Sequence, residues 1–298
     1  MSNHQPNETS QPSPQVVIVG RANIDITVRV PQRPVPGRTT FASAPATTTA
    51  GGKSLNQAIA ATRAGARTSL VVNAGADEWG AFLQRALNDA GVDVTFFQLI
   101  PSAPTGVAIV EVTPDAENHI VLALSPATEL TAEQVRDALR RLPAPAVVTQ
   151  LDLQPDTVNA VLQHHQGETL IGNLVPHPTL GSAALAALDL FVCNEHEAAA
   201  ILGRHHPDPT AAAQELRELG PRAAVVTAGA RGAAYSTPEH TALVPAPLIQ
   251  VNDTTGAGDY LLGALTARLA QNIPLEQAVP EAVAAATTSI QPTRRSCA

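Results

Sequence analysis

The sequence predicts an α/β protein, a three-layer α/β/α arrangement around a mainly parallel sheet, with a small antiparallel β lid set beside it. Three observations carry this reading. Short β-branched or apolar runs recur at 15–20 (QVVIVG), 69–72, 146–150, 169–173, 190–193 and 223–227. Helical patterns lie between several of them, at 131–141, 155–165, 195–202 and 210–219. Strands alternating with helices in this way mean βαβ units with helices on both faces of a parallel sheet. Two segments, 24–49 and 105–124, break the alternation with β-type stretches (ITVRV, TGVAIVEV, HIVLAL) and no helix between them, as a small inserted sheet requires.

In chain order, residues 1–14 (MSNHQPNETSQPSP) are polar and proline-bearing and read as a disordered tail. The run closing on Gly20 reads as a buried first strand. Residues 15–298 read as one domain, with lid segments at about 22–50 and 104–124. From residue 256 the chain reads as two Ala-rich helices, 256–271 and 275–289, and then ends in PTRRSCA. There are no internal repeats.

A chain of 298 residues with 44% apolar side chains can bury a large core. Its net charge of -8 argues against a nucleic-acid partner, which would select a basic face. It does not exclude small anionic ligands, because backbone amides bind phosphate inside acidic proteins. Cys193 and Cys297 lack the spacing of a disulfide framework or a zinc site and read as reduced thiols. No apolar run is long enough to span a membrane and no signal peptide is legible, so the expected location is the cytoplasm. His164-His165 and His205-His206 have no carboxylates at ligand spacing and read as surface residues.

The strongest local signal is Asp253-Thr254-Thr255-Gly256-Ala257-Gly258-Asp259, ahead of an apolar helix. Glycines let the backbone amides approach a ligand, and the helix adds its positive end, so the turn forms an anion hole. Asp259 would repel a phosphate rather than bind it. It suits a general base that takes a proton from a hydroxyl attacking a phosphoryl group. A helix-capping aspartate after a Gly-rich turn is the alternative.

The second signal is Ala50-Gly51-Gly52-Lys53-Ser54-Leu55-Asn56-Gln57-Ala58, which holds the only lysine among 18 Lys and Arg. Gly52-Lys53-Ser54 imitates the end of a Walker phosphate loop, but Thr47 stands where that pattern needs glycine and no buried strand leads in. A compact ammonium suits some sites better than a planar guanidinium, and chance usage of one lysine is the plainer reading.

Together these two stretches resemble the two signatures of the ribokinase (PfkB-type) carbohydrate kinases, with a likeness running from about Val16 to the last helix. Gly51-Gly52-Lys53-x-x-Asn56-Gln57-Ala58 points within that family toward ribokinase. The resemblance implies ATP-dependent phosphorylation of the 5-hydroxyl of D-ribose, with Asp259 as base and the amides of Gly256, Ala257 and Gly258 stabilising the developing charge. It implies a sugar held by Asn23, Asp25, Gly52, Lys53, Asn56, Asp152 and Asp259. ATP would be held by Asn194, Thr227, Gly229, Ala230, Arg231, Gly232 and Gly258, with Glu197 acting through Mg2+. Asp253 and Thr255 fall at a monovalent-cation (K+) site, and a homodimer would form through lid residues such as Val107, Ile109 and Val110. Trp79, in Gly75-x-Asp77-x-Trp79-Gly80, resembles a family turn and reads as packing.

The departures from the family bear on the details. Asp152 stands in Gln150-Leu151-Asp152 where ribokinases carry Q-L-E, which withdraws the carboxylate by about 1 Å and leaves the sugar open. Tyr260 stands where members commonly have Thr or Ser, Pro176-His177-Pro178 interrupts the family's run after Asn173, and Val283 stands near where the family often has a polar residue by the adenine. Arg294 falls at the family's glycine in the loop that completes the cation site. Either its guanidinium replaces potassium, or the tail frays and Arg294 is solvated. Two alternatives remain: a kinase for another sugar or nucleoside, and a catalytically weak sugar or nucleotide sensor on the same fold.

Overall fold

The computed structural model describes residues 15–114, 118–249 and 256–291. The proposed tail at 1–14, Asp253, Thr255, Arg294 and Cys297 lie outside the described residues. The chain begins with β1 (Gln15–Val19), β2 (Asn23–Arg29) and β3 (Thr47–Gly51), followed by α1 (Lys53–Arg63), β4 (Arg67–Gly75), α2 (Glu78–Asp89) and β5 (Phe97–Ile100). Next come β6 (Val107–Val112), β7 (Asn118–Ala123), α3 (Ala132–Arg141), β8 (Ala146–Gln150), α4 (Pro155–His164), β9 (Thr169–Asn173), α5 (Gly181–Ala186) and β10 (Leu190–Asn194). The rest comprises α6 (Glu195–Leu202), α7 (Pro209–Glu218), β11 (Ala223–Thr227), β12 (Ala233–Ser236), β13 (Thr241–Val244), α8 (Ala257–Leu269) and α9 (Leu275–Ser289).

Nine of these strands form one sheet in the order β13-β12-β11-β10-β9-β8-β1-β4-β5. It is parallel from β5 to β11, and only the β11/β12 and β12/β13 pairs are antiparallel. The strands are buried on both faces because their side chains alternate between two cores. Val16 and Ile18 of β1 join a cluster with α1, α2, α8 and α9, whereas Val17 and Val19 join one with α3 through α7. These are the three predicted layers.

β1 sits where the strand order reverses: β4 and β5 extend the sheet one way, β8 through β11 the other. Such a switch point leaves a crevice at the carboxyl edge of the strands, where open α/β sheets bind their ligands.

The smaller sheet has the order β3-β2-β6-β7. Its outer pairs are antiparallel, as expected, while the central β2/β6 pair is parallel. A parallel pair needs a long crossover, and β3 to β5 with both intervening helices supply it. Ala108, Val110 and Val112 are buried together in this sheet. Ile109, Ile120, Val121 and Leu122 are exposed, so Val110 is not available at the surface as the sequence reading had it. No helix among the described residues is long and apolar enough to cross a membrane.

Candidate active site

Five strand ends deliver side chains to the crevice. β1 runs into Arg21 and Asn23, β8 into Gln150 and Asp152, β9 into Asn173, β10 into Asn194 and β11 into Thr227. Helices α1 and α8 begin on glycines with positive φ, Gly52 at 97° and Gly256 at 79°, and neither has a side-chain cap. Their first amides are therefore uncommitted donors at two positive helix ends.

Close approach explains the paired glycines. A Cβ on Gly51 would stand 2.2 Å from the Asp25 carboxylate, and one on Gly52 would stand 2.8 Å from the Ala22 Cα. The start of α1 is thus pressed against the β1–β2 connection. There Asn23 donates to Asp25 at 2.6 Å, while burial raises the Asp25 carboxyl and that hydrogen bond lowers it, for a net rise.

Asp259 stands in the first turn of α8. Gln57 Nε2 donates to its Oδ1 at 3.0 Å, and Asn56 Nδ2 lies 3.4 Å from its Oδ2, so adjacent residues of α1 serve the two carboxylate oxygens. Burial is the largest influence on this carboxyl and Glu197 adds to it. Lys53, Gln57 and Asn56 oppose them, and the outcome is a carboxyl pushed up to about 6. A carboxyl with that affinity is poised to take a proton near neutral pH.

Lys53 is half-exposed and its Nζ lies 3.2 Å from Glu197 Oε1. Burial works against its charge, but Glu197, Asp259 and Asp152 outweigh burial and hold the ammonium above its ordinary range. The residue expected at the sugar therefore touches the residue expected near Mg2+. The other oxygen of Glu197 closes a capping box on α6. Asn194 Oδ1 accepts from the Glu197 amide at 2.8 Å, and the Asn194 amide donates to Glu197 Oε2 at 2.9 Å. Asn194 and Glu197 thus have a structural task whatever else they bind.

Asp152 meets a partner that the sequence did not announce. Arg21 Nη1 lies 3.0 Å from Asp152 Oδ1, while Arg21 Nε and Nη2 grip Glu129 at 2.8 and 3.0 Å. Arg21 also donates to the Asp152 carbonyl at 3.1 Å, and its own amide donates to Gln150 at 2.9 Å. Asp152 is thereby held at the pocket rim with one oxygen committed. Arg21, Gln57 and Glu129 are the participants that sequence reasoning missed. Arg21 lies 108 and 131 positions from its partners, and no local pattern marks such a contact.

Where the nucleotide is expected, Gly229–Arg231 forms a single 3₁₀ turn after Thr227. Gly232 closes it at φ 99°, where a Cβ would stand 2.0 Å from the Val244 carbonyl oxygen. Arg231 donates to the Pro207 carbonyl at 2.7 Å and pairs with Glu195. Among the described residues no group of three or more His, Cys, Asp or Glu could hold a metal ion unaided. Magnesium needs less, because it is commonly held by one or two carboxylates together with substrate phosphates and water. Glu197, partly accessible at the crevice edge, fits that smaller role.

A family model described as pfkB family carbohydrate kinase matches residues 13–295. A bifunctional ribokinase/ribose-5-phosphate isomerase A from Fructilactobacillus sanfranciscensis is 30% identical over 263 residues, 86% of this chain and 48% of that protein. A deoxyribokinase from Salmonella typhi is 28% identical over 282 residues, 92% of each chain. The structure of Arabidopsis thaliana ribokinase complexed with ribose and ATP superposes with a TM-score of 0.79 at 26% identity, covering 94% of both chains.

Proposed function

We propose that this chain, which belongs to the pfkB family of carbohydrate kinases, transfers the γ-phosphoryl group of ATP to the 5-hydroxyl of D-ribose, with Asp259 as the base. The observation that carries the reading is the Asp259 carboxylate. It is raised to about 6 and gripped by the Asn56 and Gln57 amides of the helix whose first turn presents Lys53.

The sugar would lie in the crevice between the two sheets, with its hydroxyls on Asn23, Asp25, Asn56 and the free oxygen of Asp152, against Gly52. Lys53 would sit between sugar and phosphates, exchanging its contact with Glu197 for the incoming charge. Asp259 accepts the hydroxyl proton as the oxygen attacks in line, and the amides of Gly256, Ala257 and Gly258 receive the charge that develops. The nucleotide would be held by Asn194, Thr227 and the turn of Gly229, Ala230, Arg231 and Gly232. Glu197 would hold Mg2+ through water, and that ion would supply charge neutralisation at the phosphates. Asp253 and Thr255 are candidates for a monovalent cation, and activity indifferent to potassium is the outcome if Arg294 replaces it. The exposed Ile109, Ile120, Val121 and Leu122 of the smaller sheet suit a homodimer contact.

A second sugar is the alternative favoured by a specific observation: Arg21 commits one oxygen of Asp152, leaving fewer acceptors for a polyhydroxyl substrate. The test is ADP release from Mg-ATP with ribose, deoxyribose, fructose, adenosine and inosine, with and without potassium. Asp259→Asn should lower turnover by roughly 10²- to 10⁴-fold. Near wild-type turnover in that variant, or ADP release with none of these acceptors, overturns the proposal. Deoxyribose preferred over ribose moves it to the second sugar.

A further inference from the structure

We propose that Gln57 positions the base: its carboxamide is a bridge that holds one oxygen of Asp259 from the core of the large sheet. The inference rests on the kinase reading above and extends it to a residue with no predicted role.

The orientation of two amide groups follows from one fixed point. The main-chain carbonyl of Val192 only accepts, so the Asn173 atom 2.8 Å away is its nitrogen and its Oδ1 faces the other way. That oxygen only accepts in turn, so the Gln57 atom 3.2 Å from it is Nε2, and the same Nε2 lies 3.0 Å from Asp259 Oδ1. Both N–H groups of Gln57 are committed. Its Oε1 is left buried with no partner among the described residues. An unpaired buried acceptor is unfavourable, and an alanine-rich helix has simpler residues to offer for packing. Gln57 tolerates the orphaned oxygen in order to present two donors. A continuous path therefore runs from β10 through Asn173 at the end of β9 and Gln57 on α1 to Asp259 on α8. Asn56, at 3.4 Å from the other oxygen, makes the weaker contact.

Among the described residues, the charged groups acting on Asp259 are Lys53 of α1, which favours its ionised form, and Glu197 of α6, which opposes it. Neither is altered by substitution at 57. Donors to a carboxylate favour the ionised form, so their loss moves the titration upward. In Gln57→Leu the acid limb of kcat/KM should therefore shift to higher pH by roughly one unit, a tenfold change in proton affinity. The value of kcat should fall roughly 10- to 100-fold, the range for one hydrogen bond to a charged group. KM for sugar and for ATP should stay within about twofold, since Gln57 acts through Asp259 and not on either substrate. Asn173→Ala, which touches neither Asp259 nor substrate, should lower kcat less. The double variant should be no worse than Gln57→Leu alone, because the two act along one path.

Carbon NMR titration of aspartate-labelled protein, with the Asp259 signal assigned by its loss in Asp259→Asn, reads the same shift without turnover. An Asp259 titration and pH profile unmoved in Gln57→Leu overturn the inference. If Gln57→Leu does not fold, an unmoved Asp259 titration in Asn173→Ala does the same. Failure of the kinase reading is distinguishable, since it removes ADP release from the wild type and leaves the titration as the test.

Discussion

Gly263→Ala tests whether helix packing sets the geometry of the base. Gly263 lies one turn beyond Asp259 on α8, and α1 passes so close that a Cβ there would stand 2.4 Å from the Gln57 carbonyl oxygen, 2.6 Å from the Ala60 Cβ and 2.9 Å from the Ala61 nitrogen. Non-bonded heavy atoms settle at roughly 3.5 Å, so the added methyl parts the two helices by about 1 Å. The Gln57–Asp259 hydrogen bond, 3.0 Å long, would stretch to about 4 Å, beyond the range in which it survives. Two effects on stability oppose each other. Overpacking costs roughly 1–3 kcal/mol, while alanine in place of glycine inside a helix contributes about 1 kcal/mol in return. The net loss is about 0–2 kcal/mol, a shift of a few degrees in Tm. Activity should fall much further, since a displacement of about 1 Å at a reacting group costs roughly 10²-fold. Urea unfolding and ADP release at saturating sugar and ATP measure the two separately. A variant as active as the wild type would refute the reasoning, and so would one whose activity falls only in proportion to its folded fraction.

The remaining predictions concern charge. In the wild type kcat/KM should rise with pH through about 6, because Asp259 accepts a proton only when ionised. Lys53→Met removes the ammonium that favours the carboxylate, so the rise should move to higher pH, and a pH–rate profile with an unmoved midpoint contradicts this. Arg21→Ser strips Glu129 and Asp152 of their shared cation. Because the Asp152 side chain is 43% exposed, water relieves part of the penalty and the stability loss should stay near 1–2 kcal/mol, roughly half the cost of breaking a buried pair. KM for the sugar should rise while KM for ATP holds, and equal rises in both would mean a general loss of structure. Asp259→Asn should stabilise the protein at pH 8. The folded carboxyl titrates near 6 against an ordinary value of 3.8, so the cost of ionising it is absent below about 4 and complete above about 6. Thermal melts should show the variant ahead by about 3 kcal/mol at pH 8 and level with the wild type at pH 4. A difference independent of pH would contradict the assignment.

What the sequence made legible is what periodicity and composition encode. The inner parallel strands of the large sheet announce themselves because burial on both faces demands continuous apolar runs, as in Val16 to Val19, whereas the short β5, β12 and β13 toward its two edges carry no such run. Helix α1 is harder to see. Its buried positions are Ser54, Leu55, Gln57, Ala58, Ala60 and Ala61, of which Leu55 alone is large and apolar, so the apolar stripe is faint. The same property hides part of the site. A buried glutamine in an alanine-rich helix carries no local signal, and its meaning lies in Asn173 and Asp259, 116 and 202 positions away. Arg21 is concealed for the same reason. The turn before α8 was legible because its chemistry is local: glycines, a helix start and a carboxylate within seven residues.

The solitary lysine follows from the same geometry. Its ammonium lies against Glu197, and three carboxylates, Glu197, Asp259 and Asp152, contribute to holding its charge. A guanidinium is a planar fork that favours one carboxylate bidentately, as Arg21 does with Glu129. Such a fork at position 53 would bind one acid and leave the others unserved. Three donors on a compact, rotatable head serve several acids at once and can be turned to a new anion without breaking a bidentate grip. The site therefore separates its two kinds of cation by task. Arginine fixes the rim of the crevice, and in the proposed reaction lysine would stand between sugar, base and phosphates, where its partner would have to change.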